Sequence, residues 1–131
     1  MIAEDETDIR NLVAMMAQVW GHTPVPFETG TKAWEFLDSV DNGTYNGPLP
    51  EFALMDIRMP GPKGDEIAHR IRKIDRLKHI PVVLMTAFAL NDAEKAVMLT
   101  DGADRIINKP LPDFMQLQAI LNKVIEEKIK A

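Results

Sequence analysis

Two four-residue runs, Phe52-Ala53-Leu54-Met55 and Val82-Val83-Leu84-Met85, are wholly apolar, and each is cut off by one polar residue, Asp56 and Thr86. A strand with one solvated face alternates apolar with polar residues, whereas an unbroken apolar run fits a strand buried on both faces. Such strands belong in parallel sheets, whose crossover helices cover both sides. The rest of the chain supplies those helices. Ile9, Leu12, Val13, Met16 and Trp20 recur at helical spacing after Thr7, read as the cap, and Gly21 closes that segment. A second helix is read over about Thr31–Ser39, and a third is marked by Ile67, Ile71 and Ile74. A fourth runs from about Asp92 to Thr100, closed by Gly102. A last one starts at Pro112, with Phe114, Leu117, Ile120, Leu121, Val124 and Ile125 on one face. Shorter strands are read at Met1-Ile2-Ala3, His22–Phe27 and Arg105-Ile106-Ile107. Strands alternating with helices in this way predict an α/β fold, a doubly wound parallel sheet with helices on both faces and right-handed crossovers.

The second strand carries Pro24 and Pro26, which remove two ladder donors from the same side, so it belongs at a sheet edge. An order 2-1-3-4-5 satisfies that demand and makes the first and third strands neighbours. In sheets of this class the ligand site lies beyond the carboxyl ends of the strands. The residues there are Glu4-Asp5, Asp56, Thr86 and Lys109. In this order Asp5 faces Asp56 across one strand spacing, ~4.8 Å, with Glu4 alongside. Lys109 starts two spacings away, ~10 Å from Asp56, within much of the reach of its side chain. Three crowded carboxylates repel, and at least one pKa should rise unless a cation intervenes. All-oxygen ligands in small number favour Mg²⁺. A metal-binding acidic pocket with one lysine and one hydroxyl suits phosphoryl transfer, with a central carboxylate as nucleophile.

The remaining composition narrows the field. A chain of 131 residues is one domain by the usual prior. It has no cysteine, which excludes a disulfide scaffold, a thiolate metal site and a cysteine nucleophile. A net charge of −5 argues against a nucleic-acid surface. No apolar run approaches the ~18 residues of a membrane span. The acidic start Glu4, Asp5, Glu6 and Asp8 is unlike a signal peptide. The chain therefore reads as soluble and cytoplasmic, with no membrane contact. His22, His69 and His79 lack metal-ligand spacing and read as structural or surface residues. Arg70, Arg72, Lys73, Arg76 and Lys78 read as a solvated helix face.

Four motifs occur in order, each at a strand end: Glu4-Asp5-Glu6, Leu54-Met55-Asp56-Ile57-Arg58-Met59-Pro60 with Gly64, Met85-Thr86-Ala87, and Lys109-Pro110. Together they resemble the receiver domain of two-component response regulators, and the resemblance covers essentially the whole chain. It implies a flavodoxin-like five-stranded sheet of order 2-1-3-4-5, with residues 1–131 forming one receiver domain and no output domain in this chain. It implies that Asp56 accepts a phosphoryl group from a sensor histidine kinase or a histidine phosphotransfer protein. Asp5 and Asp56 would bind Mg²⁺ with the Arg58 backbone carbonyl, and Glu4 would act mostly through a metal-bound water. Thr86 and the Ala87 backbone N–H would hold phosphoryl oxygens, and Lys109 would pair with the phosphoryl group. Lys109-Pro110 is expected to be cis. The downstream target is a protein, and the fourth helix, fifth strand and fifth helix are the expected output face and homodimer surface.

The sequence departs from that pattern in several places. Only three residues precede Glu4, Ile106 stands where many receivers carry Tyr or Phe, and Lys63 replaces a common acidic residue. The loop from Val40 to Glu51 is longer than usual. Phe88 and Arg58 flank the expected phosphoryl site, and a bulky Phe88 is expected to slow loss of the group. Two alternatives follow from the same residues. One is a receiver-like interaction module that is never phosphorylated. The other is a haloacid-dehalogenase-like phosphatase, which needs a second Asp two residues after the nucleophile, where Arg58 stands.

Overall fold

The computed structural model describes residues 1–130; Ala131, the last residue of the expected domain, lies outside the described residues. The elements are β1 (Ile2–Ala3), α1 (Thr7–Val19), β2 (Pro26–Phe27), α2 (Gly30–Asp41), β3 (Ala53–Asp56), α3 (Gly64–Ile71), β4 (Val82–Thr86), α4 (Asp92–Asp101), β5 (Arg105–Asn108) and α5 (Phe114–Lys130). All strand pairs are parallel, as the alternation of elements predicted, and the order is β2-β1-β3-β4-β5, as the resemblance implied and the edge prolines allowed.

Parity along the two central strands separates the core into two layers. Ala53, Met55, Val82 and Leu84 face α2 and α3, packing with Leu37, Val40, Ile67 and Ile71. Leu54, Val83 and Met85 face α1 and α5, packing with Val13, Met16, Leu117 and Leu121. Every residue of β3 and β4 is buried, which is why neither run alternates.

The prolines act on β2 as expected, and further. Val25 and Phe27 give their carbonyls to the N–H groups of Ile2 and Glu4. Pro24 and Pro26 thus fall at the positions whose missing N–H would face solvent. The strand is shorter than the predicted His22–Phe27, with Pro26 and Phe27 alone laddered.

Several element ends differ from the sequence reading. Thr7 is the first helical residue of α1 rather than its cap; Glu6 holds the cap position and makes no side-chain cap bond. Leu12 lies on the predicted apolar face yet is 42% exposed, because Val13 and Met16 alone point fully inward. Thr29 accepts from the Lys32 N–H at 3.1 Å and starts α2 at Gly30. Asp113 accepts from the Gln116 N–H at 2.9 Å, so α5 begins at Phe114 and not at Pro112. Ile74 is buried but sits in the turns after α3.

The basic cluster is not a uniformly solvated face. Arg70 lies over the Trp34 ring and pairs with Asp38 at 2.6 Å. Arg72 donates to the carbonyls of Ile80, Lys78 and Gly102 and pairs with Asp104 at 2.8 Å. Asp104 also accepts from the Val82 N–H at 2.7 Å and from Lys128 at 3.1 Å. This hub joins the turn after α3 to the starts of β4 and β5 and to α5. Lys73, Arg76 and Lys78 are exposed, as expected.

Candidate functional site

The strand register brings the polar residues together. Ala3 is level with Met55, so the next residue, Glu4, comes level with Asp56. This differs from the expected pairing of Asp5 with Asp56: it is Glu4 that turns inward, with 0% exposure, while Asp5 is exposed. Thr86 is level with Asn108, which sets Lys109 one step beyond β5. From there the Lys109 ammonium reaches across the sheet end, donating to Glu4 Oε1 at 2.5 Å and to Asp56 Oδ2 at 3.0 Å. Its side chain is 10% exposed. The Lys109-Pro110 bond is cis, as expected.

Glu4, Asp5 and Asp56 each offer a carboxylate oxygen, and these oxygens lie within 4.8 Å of one another. Three carboxylates against one ammonium leave a formal charge of −2 when all are ionised. Hard oxygen donors with that surplus fit a small dication, and Mg²⁺ takes such ligands while keeping several waters. Asp56 Oδ1 accepts from the Arg58 backbone N–H at 3.3 Å. No other group of three His, Asp or Glu side chains with this spacing occurs among the described residues. His22, His69 and His79 are exposed and lie outside it.

Burial dominates the electrostatics of Glu4 and pushes its carboxyl up to about 7 from an ordinary 4.5. The Lys109 ammonium pulls the other way, and Asp56 and Asp5 reinforce the rise. For Lys109 burial disfavours the charge, but the bonds to Glu4 and Asp56 outweigh it and raise its pKa above the ordinary 10.5. The rise expected from the sequence thus falls on Glu4, with burial as its first cause and the neighbouring carboxylates adding to it.

Local chemistry fixes the loops around this cluster. A Cβ on Gly64 would stand 2.2 Å from the Asp56 carbonyl oxygen, so only glycine lets α3 start against the end of β3. The Gly64 N–H donates to Ile57 O at 2.9 Å. Thr86 is buried at the end of β4, and its hydroxyl oxygen accepts from the Phe88 N–H at 3.0 Å. Ala87, the residue between, is exposed.

One residue and one contact escaped the sequence reading. Arg10 Nη1 donates to the carbonyls of Glu4 at 3.0 Å and Asp5 at 3.4 Å, pinning the acidic turn from the first turns of α1. The only sequence signal was an arginine shortly after an acidic triplet. The Arg58 guanidinium lies over the Phe88 ring, 3.9 Å from its centroid, which joins the β3–α3 loop to the β4–α4 loop.

Residues 1–122 match the family model described as response regulator receiver domain. The chain is 36% identical over 118 residues to the polar-differentiation response regulator DivK of Brucella anthropi, covering 88% of this chain and 89% of that protein. It is 28% identical over 137 residues to the phosphate regulon transcriptional regulatory protein PhoB of Shigella flexneri, covering 99% of this chain and 56% of that protein. The chain thus spans about half the length of the PhoB relatives it matches. Among solved structures, a CheY-like response regulator receiver domain protein from Methanospirillum hungatei superposes with a TM-score of 0.78 at 23% identity, covering 98% of this chain and 94% of that one. The receiver domain of sensor histidine kinase PA1611 from Pseudomonas aeruginosa superposes at 0.73 and 24% identity, covering 95% of this chain and 94% of that one. That crystal structure has a magnesium ion coordinated in its active site cleft.

Proposed function

This chain belongs to the response regulator receiver family, and from that premise we propose that it accepts a phosphoryl group on Asp56 and signals by the change of shape that follows. The observation that carries this reading is the Lys109 ammonium, bonded at once to Asp56 and to fully buried Glu4, beside an exposed Asp5. A carboxylate so placed has one oxygen held by a cation and stands at the carboxyl end of β3 with 10% of its side chain exposed.

Asp56, Asp5 and the Arg58 backbone carbonyl would hold Mg²⁺, with Glu4 acting through a bound water. When bound, the ion neutralises charge on the phosphoryl oxygens. An Asp56 carboxylate oxygen attacks the phosphorus of a phosphohistidine in line. The new bond is the O–P bond of an acyl phosphate, the P–N bond breaks, and the departing imidazole takes up a proton. Lys109 stays with the phosphoryl group, while the Thr86 hydroxyl and the Ala87 N–H take its oxygens. For the hydroxyl to donate there, it gives up its long donation to the Phe88 carbonyl at 3.5 Å.

The donor is a sensor histidine kinase or a histidine phosphotransfer protein, and the signal passes to a protein target. The face made by α4, β5 and α5 is the proposed output and dimer surface; Val97 and Leu99 are exposed on α4, and Met115 on α5. Among the described residues, no helix is long and apolar enough to cross a membrane.

Incubation with Mg²⁺ and acetyl phosphate, read by intact mass, tests the proposal. One phosphoryl adduct, labile in base and absent from Asp56→Asn, is expected. A folded chain that gains no adduct overturns the reading and favours a phosphorylation-independent module.

A further inference from the structure

Arg58 is a cation on the rim of a carboxylate cluster, yet among the described residues no carboxylate lies within ion-pairing distance of its guanidinium. Its charge rests instead on the ring of Phe88, 3.9 Å from the centroid. Phe88 is 47% exposed, too open for its ring to serve chiefly as core. Its backbone is nonetheless fixed, because its N–H is bonded to the hydroxyl oxygen of buried Thr86. Arg58 is fixed in the same way by the bond from its N–H to Asp56 Oδ1. Two residues anchored to Asp56 and Thr86 therefore hold one exposed cation–π contact between the loops that follow β3 and β4.

Electrostatics alone would place the guanidinium elsewhere. The cluster carries a formal surplus of two negative charges, and Lys109 already faces Glu4 and Asp56 from the β5 side. Asp5 is exposed, and among the described residues no cation lies within ion-pairing distance of its carboxylate. An arginine two residues from Asp56 has a long, flexible stem and a planar fork matched to carboxylates. Drawn into the cluster, it would occupy the oxygens a dication needs.

We propose that Phe88 is a positioning residue that holds the Arg58 guanidinium off the Glu4–Asp5–Asp56 cluster and so keeps the cluster open to a divalent cation. The inference rests on the receiver reading of that cluster. The arginine is thus parked beside the acids without competing for them, and the ring sets how strongly a cation of the chain competes with one from solution.

The test is a double-substitution cycle on Mg²⁺ affinity, measured by calorimetry on the full chain with Mg²⁺ alone as titrant. Phe88→Leu keeps apolar bulk and removes the ring face. It should weaken Mg²⁺ binding roughly two- to fivefold, the range an exposed cation–π contact supports. The same substitution in an Arg58→Ala background should cost nothing further, and Phe88→Trp should bind Mg²⁺ as the unsubstituted chain does. In the metal-free Phe88→Leu chain, the Arg58 side-chain N–H resonance should move from a ring-shielded to an ion-paired position. Unchanged Mg²⁺ affinity in Phe88→Leu, or an equal loss with and without Arg58, overturns the inference and leaves the receiver reading standing. Absence of Mg²⁺ binding by the unsubstituted chain overturns both.

Discussion

Replacing Glu4 by glutamine should make the metal-free protein more stable at alkaline pH, although it deletes a partner of Lys109. The reason lies in where Glu4 sits. Its side chain is fully buried beside Asp56, and burial pushes its carboxyl up to about 7 from 4.5. The folded chain therefore holds this proton more tightly than the unfolded chain does. The resulting stability is fully present below pH 4.5 and is lost as pH rises through 7. At ~1.4 kcal/mol per pKa unit, the loss amounts to about 3 kcal/mol by pH 8. Glutamine imitates the protonated acid, keeps an acceptor for the Lys109 ammonium, and does not titrate. Urea unfolding in chelator at pH 4.5, 6, 7 and 8 measures the effect. With a urea slope of ~1–3 kcal/mol/M, the Gln variant should unfold on the order of 1–3 M later at pH 8 and at nearly the same urea at pH 4.5. Saturating Mg²⁺ should narrow the gap, since a dication stabilises the ionised cluster by binding the folded state. Parallel pH profiles for the two proteins, or a Gln variant less stable at pH 8, would refute the reasoning.

Lys109→Met leaves Glu4 and Asp56 facing each other without a cation, and at pH 8 in chelator should cost ~3–5 kcal/mol; the loss should shrink at pH 5, where Glu4 is protonated, as read by the same unfolding curves. Arg72→Ala strands the carbonyls of Ile80, Lys78 and Gly102 and one partner of Asp104; a loss of ~2–3 kcal/mol is expected by urea unfolding, with acetyl phosphate still modifying the folded fraction. Gly64→Ala forces a Cβ against the Asp56 carbonyl oxygen; it should destabilise by ~1–3 kcal/mol and slow formation of the intact-mass adduct by displacing the end of β3.

The parallel sheet and the edge position of β2 were legible because they follow from local rules, whereas the full strand order came from the family resemblance. Unbroken apolar runs require burial on both faces, as β3 and β4 have, and prolines exclude ladder donors, as in β2. Element ends were less legible. Thr29 and Asp113 cap helices that the apolar period alone begins elsewhere, since a cap is one side-chain bond and leaves no periodic trace. The basic run after Ile67 read as solvated because composition cannot tell a free arginine from one that collects three carbonyls from two segments, as Arg72 does.

By itself the sequence determined which residues stand at the carboxyl ends of the strands, because strand length and apolar parity are local properties of the chain. Glu4, Asp5, Asp56, Thr86 and Lys109 were all readable as strand-end residues on that basis. Tertiary structure alone decided which acid turns inward. The register of β1 on β3 sets Glu4, not Asp5, level with Asp56, and a one-residue shift would exchange their faces. It also decided that Lys109 bridges Glu4 and Asp56, and that Arg58 lies on Phe88 rather than on the acids. Those contacts join residues from different strands and loops, and their geometry exists only once the sheet has closed the distance between them.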